Sequence, residues 1–482
     1  MKNARTIILI NTAFFLLVLA LSAYIVLRAV CLDMTHDEAY SFYNAKIFWW
    51  VETLCTGNTH WFNFLAIKTC IFFGLEKPFC LRGFSLLCSF VFLLVVWFFI
   101  KKIESPFLKI FVFAFLLLNP FLIDYLALAR GYSAGIMFEC ASLFYAYLFL
   151  NNKNTNAATI SLLMAGLSAI ANFNFFYFFS AFAIVYFYTS YFKNRQGVLK
   201  NKLVYIEIIF TGIIVCVVLK ALNFITNCSN DIGNYGGTNF ISSVFAGFID
   251  SLLYKQVRLN FKTLYIIAIL FFALVLLAVI IGIFKRKKHN NQLYLFAAVL
   301  LAIMFVLAII NKLCFGVLYP TYRTTLMFYP LITLALVGFF ANLKAIKIKN
   351  GLLLMMSLGL IINFLGSINV KSTFDYSEQA DAKKAFNYAD SLGAKNVGIS
   401  PELFGVFRNY YQQTNRYKFS FNGYSINASR LQKSDSINFK LIVMDYLILF
   451  PPYNFNFYKT QTINLKPIKY YQTTGTLILK VL

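Results

Sequence analysis

The chain has 482 residues, of which 60% are hydrophobic and 13% charged, and its mean hydropathy is +0.70. Soluble globular domains hold roughly 45–50% apolar and 25% charged residues, so the composition excludes a water-soluble protein. The formal charge of +25 would suit nucleic acid if the cations formed one patch. They sit instead in short clusters between apolar runs, the pattern of cytoplasmic loops in a polytopic membrane protein.

Lys2 and Arg5 precede an apolar run over residues 7–30. The run exceeds a signal-peptide core and no small-residue cleavage site precedes Cys31, so it reads as a retained signal-anchor helix. A polar and aromatic first loop follows, over residues 31–80. Further spans are predicted at 81–100, 107–123 and 133–150. The apolar stretch 157–192 is too long for one span and is interrupted at Asn172-Phe173-Asn174, which predicts two short helices around a tight turn. Spans at 203–225, 261–284, 293–310, 324–342 and 351–370 bring the total to about eleven. A Gly/Asn-rich loop occupies residues 226–260.

The cations assign the sides. Lys2 and Arg5, Lys101 and Lys102, Lys153, Lys193 with Arg195, Lys200 and Lys202, the cluster 285–288, and Lys344, Lys347 and Lys349 all fall on one side. The positive-inside rule makes that side cytoplasmic. With the N-terminus inside, His36-Asp37-Glu38, Arg130, the 226–260 loop, Arg323 and the tail fall outside. The expected architecture is an all-α polytopic module over residues 1–370 with a small extracytoplasmic α/β domain over 371–482. In that tail, "ADAKKAFNYADSLG" has helical spacing, while "KNVGIS" and "FKLIVMDYLIL" read as strands.

Nine cysteines are scattered without a CxxC pair or a histidine at metal spacing, so the sequence carries no zinc signal. Cys31, Cys55, Cys70 and Cys80 lie in or beside the first loop, where a disulfide is one arrangement open to them.

The acidic pair Asp37-Glu38 stands where the first apolar run ends. Solvated acids would merely retain the loop outside. The aromatic surroundings, Tyr40, Phe42, Tyr43, Phe48, Trp49 and Trp50, point instead to an element lying on the membrane. A carboxylate there is suited to deprotonate a hydroxyl or amine. Arg130 and Arg323 each lie at the outer edge of a helix beside aromatic residues. Either alone could snorkel to headgroups. Together, on the face that carries the acids, they suit an anion, since the guanidinium fork matches phosphate. Arg82, Lys77 and Lys312 are weaker additions. His60 is one of three histidines, Asp124 ends the third span, and Glu139, an acid inside the fourth span, is a functional candidate by default, with pairing to Arg130 or to a polar neighbour as the alternative reading.

The succession "HDEAYSF", "THWFNFLAIK", "LRGFSLLCSF", "NPFLIDYLALARGYSAG" and "YPTYRTTLMFYP" resembles the GT-C glycosyltransferases. More narrowly, it looks like the branch of protein O-mannosyltransferases and lipid A aminoarabinose transferases. The resemblance covers the first 200 residues best. It implies transfer of a sugar, with inversion, from a polyprenyl-phosphate donor to a lipid, glycan or protein acceptor on the outer face of a bacterial cytoplasmic (inner) membrane, with no nucleic acid involved. It maps the family's acidic pair onto Asp37 and Glu38 as catalytic residues. It maps the family's Arg-x-Tyr onto Arg130 and Tyr132, its late arginine onto Arg323 and its His-Pro-Pro-like segment onto His60; Arg82 and Asp124, from their own positions in the sequence, are further substrate-binding candidates. Where the family has prolines after its histidine, this chain has Trp61 and Phe62. A divalent cation could bridge acid and phosphate, although no ligand cluster demands one. A lipid-sugar flippase would spread polar groups through the spans and often repeat itself in inverted halves, neither of which is visible. A polysaccharide polymerase would also use a lipid-linked sugar but with different loops.

Overall fold

The computed structural model describes residues 2–48, 60–152, 154–189, 202–228, 236–254, 256–257, 259–284, 292–400, 410–411, 413–414, 417–421, 445–449, 465–474 and 476–481. Trp49, Trp50, Cys55, Lys153, Lys193, Arg195, Lys200 and the basic cluster 285–288 lie outside the described residues.

In chain order, α1 runs over Lys2–Cys31, α2 over His36–Ile47, α3 over Trp61–Phe72, α4 over Pro78–Leu81 and α5 over Gly83–Lys102. Helix α6 (Pro106–Val112) continues through a π-helical turn, Phe113–Leu117, and α7 (Pro120–Ala127) leads to α8 (Tyr132–Asn152). Helices α9 (Thr155–Ala171) and α10 (Phe176–Phe187) flank a 3-10 turn, Phe173–Phe175, and α11 is Lys202–Cys228. A second π-helical turn, Ile241–Ala246, runs into α12 (Gly247–Leu253). There follow α13 (Phe261–Phe284), α14 (Gln292–Phe315), a 3-10 segment Tyr322–Phe328, α15 (Tyr329–Asn342), α16 (Ile346–Ser367) and α17 (Ala382–Ser391). The strands are β1 (Asn396–Ser400), β2 (Ser420–Phe421), β3 (Tyr446–Leu449), β4 (Leu465–Tyr471) and β5 (Thr476–Val481).

Among the described residues, seven helices are long and apolar enough to cross a bilayer, or eight if one bent pair counts as a single span, and four shorter apolar helices accompany them. The protein is an integral multi-pass membrane protein. The span expected at 107–123 is not one straight helix. It breaks between Leu117 and Pro120 with a bend of 54°. The cause is local. Pro120 starts α7 without an amide proton to give, and the Asn119 side chain accepts from the backbone N–H of Phe121 (3.0 Å) and Leu122 (3.2 Å). The turn expected at Asn172-Phe173-Asn174 is present. Asn172 ends α9 in an extended conformation, and its side chain accepts from the N–H of Asn174 at 3.0 Å.

The chain forms two compact units. The first comprises residues 1–26, 50–63 and 82–368, and the second comprises 27–49, 64–81 and 369–482. In the first unit, the stretch Tyr322–Asn342 is 78% buried and Tyr132–Asn152 61% buried, whereas Phe261–Phe284 is only 22% buried and Ile346–Ser367 only 17%. Helices α8 and α15 are therefore central, while α13 and α16 turn most of their apolar surface outward, as lipid-facing helices do. Aromatic rings fill the centre, with Phe248 stacked on Tyr329 at 4.1 Å.

In the second unit the sheet order is β2-β1-β3-β5-β4. Strand β1 pairs in parallel with β2 and β3, while β5 pairs antiparallel with β3 and β4. Leu447, Ile448 and Leu449 are all buried, so central β3 is covered on both faces. Pro467 sits on edge strand β4, where a missing N–H costs no ladder bond, next to an irregularity in the pairing. Ala382, Ala385, Phe386 and Ala389 form the buried stripe of α17. The helix and the first strand expected in the tail are present as α17 and β1; of the second, β3 (Tyr446–Leu449) is present, and residues 439–444 lie outside the described residues. Arg28, at the end of α1, donates to the carbonyls of Asn369 and Ser372, which anchors the start of the tail.

Candidate active-site residues

Asp37 and Glu38 belong to the second unit, where they open α2. Thr35 is the N-cap, and its hydroxyl accepts from Glu38 N–H at 3.3 Å. Glu38 Oε2 accepts in return from Thr35 N–H at 3.0 Å and from the Thr35 hydroxyl at 3.1 Å. This is a capping box, and it satisfies two amide donors that the first helical turn leaves over. Glu38 is completely buried in that role. The spacing Thr35-x-x-Glu38 before a helix is the local sequence signal for it.

Asp37 points elsewhere, since successive residues of a helix are turned by about 100°. Its Oδ1 lies 3.0 Å from His36 Nε2, and its Oδ2 accepts from the Tyr376 hydroxyl at 2.6 Å. Gln379 closes the network. Its Oε1 accepts from His36 N–H at 2.9 Å, and its Nε2 lies 3.0 Å from His36 Nδ1. Asp37, Tyr376 and Gln379 are all buried. Nothing in the local sequence announced Tyr376 or Gln379, which lie more than 300 residues further along the chain. Cys31, Cys70 and Cys80 are free thiols, with Cys70 Sγ donating to the Cys80 carbonyl at 3.4 Å.

The first unit holds the other candidates. Arg130, between α7 and α8, and Tyr132, the first residue of α8, are both buried, and three side chains hold the backbone of the stretch Leu126–Arg130. Asn63 donates to the Ala129 carbonyl at 2.6 Å, Ser85 to the Arg130 carbonyl at 3.3 Å and Ser89 to the Leu126 carbonyl at 2.8 Å. Arg82, fully buried, is the N-cap residue of α5 one turn before Ser85. His60 meets Tyr132 edge to face with ring centroids 5.3 Å apart, and Tyr132 in turn meets Tyr125 at 4.7 Å. Gly131 makes that approach achievable. A Cβ there would lie 2.4 Å from the Ala171 carbonyl oxygen and 2.5 Å from His60 Cβ.

Asp124 and Tyr322, the neighbour of Arg323, each bond to a residue of α12 or its C-cap. The Tyr254 hydroxyl, at the C-cap of α12, lies 2.9 Å from each oxygen of Asp124. Tyr322, beside half-buried Arg323, donates to Asp250 of α12 at 3.1 Å. Tyr254 (φ 52°) and Tyr322 (φ 44°) both adopt the left-handed conformation, which costs a side-chain-bearing residue about 1–2 kcal/mol. The region expected to be a Gly/Asn-rich loop thus contains an ordered helix bonded to Asp124 through its C-cap residue Tyr254 and to Tyr322 beside Arg323. Lys312 ends α14 with its ammonium on the Gly316 carbonyl at 3.4 Å. Glu139 is fully buried in α8, and neither of its oxygens has a hydrogen-bond partner among the described residues, so the alternative in which it pairs with Arg130 is not formed. No group of three or more His, Cys, Asp or Glu side chains among the described residues is arranged to hold a metal ion.

No protein-family model and no curated protein matches the sequence. Among solved structures, the crystal structure of ArnT from Cupriavidus metallidurans bound to undecaprenyl phosphate superposes with a TM-score of 0.52, covering 97% of this chain and 98% of that chain at 9% sequence identity. This chain has an ArnT-like fold. The apo state of ArnT gives a TM-score of 0.43 over the same shares of both chains. ArnT is a lipid A aminoarabinose transferase of the GT-C fold, so the resemblance carried by "HDEAYSF" and "ALARGYSAG" holds at the level of architecture.

Proposed function

We propose that the protein is a membrane glycosyltransferase that moves a sugar from a polyprenyl-phosphate carrier to an acceptor on the extracytoplasmic face of the cytoplasmic membrane. The observation that carries the proposal is Asp37, a buried carboxylate whose two oxygens are each met by a donor, His36 and Tyr376, at the start of a short helix. Support comes from the fold shared with an undecaprenyl-phosphate-bound transferase.

In this proposal Asp37 takes the proton of the acceptor hydroxyl or amine. The acceptor heteroatom attacks the anomeric carbon, and the carbon–oxygen bond to phosphate breaks with inversion. The electron pair leaves with the polyprenyl phosphate. Arg130 and Arg323 are assigned to the phosphate, whose negative charge grows as the bond breaks. Tyr132, His60, Arg82 and Asp124 are assigned to substrate binding, and Glu38 to building the first turn of α2. The tail over residues 371–482 is assigned to the same outer face.

The test is reconstitution in nanodiscs with radiolabelled undecaprenyl-phosphate sugars and envelope acceptors, beside mass spectrometry of envelope lipids and glycans with and without the gene. Loss of one sugar from one acceptor, restored by wild type and not by Asp37→Asn, is the expected result. Movement of the lipid-linked sugar between leaflets with its phosphate–sugar bond intact would replace the transferase with a flippase. External cysteine labelling at residue 371, with none at residue 286, is expected for this orientation.

A further inference from the structure

Around Asp37 the hydrogen-bond network fixes more than distances. His36 N–H is a donor, so the Gln379 oxygen must be the atom 2.9 Å from it. The Gln379 amide nitrogen is then the atom 3.0 Å from His36 Nδ1. An amide NH2 only donates, so Nδ1 must accept and cannot carry a proton. The imidazole proton is therefore on Nε2, where it is donated to Asp37 Oδ1 over 3.0 Å. Tyr376 supplies the second donor, to Oδ2 at 2.6 Å, and its ring meets the His36 ring edge to face at 5.6 Å. Two donors on different oxygens hold the plane of the carboxylate. Gln379 decides which nitrogen of His36 serves as one of them.

We propose that Gln379, His36 and Tyr376 are positioning residues for Asp37. Gln379 selects the Nε2-protonated tautomer of His36, and His36 and Tyr376 together hold the carboxylate in one orientation. The proposal rests on the assignment of Asp37 as the base. It gives the segment after the last spanning helix a task in the reaction, because two of the three residues come from there. It also limits the path of the proton. His36 Nε2 already bears a hydrogen, so the proton that Asp37 takes from the acceptor stays on the carboxyl group and is not handed to the imidazole.

The test reads the tautomer directly. Nitrogen-15 NMR of histidine-labelled protein in proteoliposomes, with His36 assigned by difference from His36→Asn, should show a protonated Nε2 and a bare Nδ1. In Gln379→Glu a carboxylate oxygen faces Nδ1 and should draw a proton onto it. In the transfer assay, Gln379→Glu and Tyr376→Phe should lower kcat on the order of tenfold to a hundredfold, with KM for the lipid donor unchanged. Binding groups elsewhere are untouched, so a general loss of structure would not produce that split. The tautomer is read without turnover, which keeps the two proposals separable. A wild type with protonated Nε2 that transfers no sugar overturns the glycosyltransferase assignment. A wild type that transfers sugar but carries its proton on Nδ1 overturns the positioning network, as does wild-type kcat in both variants.

Discussion

The Tyr254 hydroxyl lies 2.9 Å from both carboxylate oxygens of Asp124, although 130 positions separate the two residues. Asp124 is buried, so this phenol is one of the groups that make its charge tolerable there. Tyr254→Phe should lower stability by roughly 1.5–3 kcal/mol, the range for a hydrogen bond to a charged group. Thermal unfolding in detergent measures it, and an unchanged midpoint would show that Asp124 does not depend on Tyr254.

The two acids of α2 should separate on substitution. Asp37→Asn keeps the shape but cannot take the acceptor proton, so transfer should be abolished while donor binding persists. Glu38→Gln should be far milder, because glutamine also completes a capping box. Thr35→Ala, which removes the cap hydroxyl, should cost about 0.5–2 kcal/mol. Equal loss of transfer in Asp37→Asn and Glu38→Gln would argue for a shared catalytic role.

Gly131→Ala is expected to be severe despite adding one methyl group. The new carbon would fall 2.4 Å from the Ala171 carbonyl oxygen, which is backbone and cannot swing aside. Either the Arg130–Tyr132 turn or the end of α9 must move, so both stability and transfer should fall. Normal activity in Gly131→Ala would mean that the turn tolerates displacement.

Arg130→Ala and Arg323→Ala should each slow transfer roughly tenfold to a hundredfold, equivalent to losing about 1.5–3 kcal/mol of charged hydrogen bonding. Lysine should restore only part of the rate, since it brings charge without the planar fork. Single-turnover rates with the lipid-linked donor decide it. Two unimpaired alanine variants would take the arginines out of the reaction.

The second unit should lose stability in alkali. Burial and the nearby Asp33 carboxylate push the Tyr417 phenol up, and burial together with Asp33 pushes buried Tyr411 the same way. Tyr471 is raised by burial and by Asp381. A group that holds its proton more tightly when folded contributes stability below its unfolded pKa, and that contribution is lost as pH rises through the folded value. The loss should therefore begin near the unfolded tyrosine value of about 10. Phenolate absorbance followed beside unfolding should show it, and Tyr417→Phe should reduce the slope. Ionisation of these phenols near pH 10 without loss of stability would contradict the assignment.

Hydrophobic periodicity determined the spans. Helix α13 begins and ends where the apolar run does, and Asn172 could be read as a break because a polar residue inside an overlong run has few other uses. The bend at Asn119-Pro120 was written in the same local code, a cap followed by a proline at the first helical position, yet the apolar run across it masked it. The Thr35–Glu38 box was likewise local and readable. Composition and the clusters of Lys and Arg were enough to make this a multi-pass membrane protein. What surrounds Asp37 and Asp124 was not readable from the chain. Tyr376 reaches Asp37 across 339 positions and Tyr254 reaches Asp124 across 130. No periodicity records which distant hydroxyl will satisfy a buried carboxylate. The membrane solvent selects the helices residue by residue, whereas the partners of a buried charge are chosen only when separate segments pack, and that choice belongs to the tertiary structure.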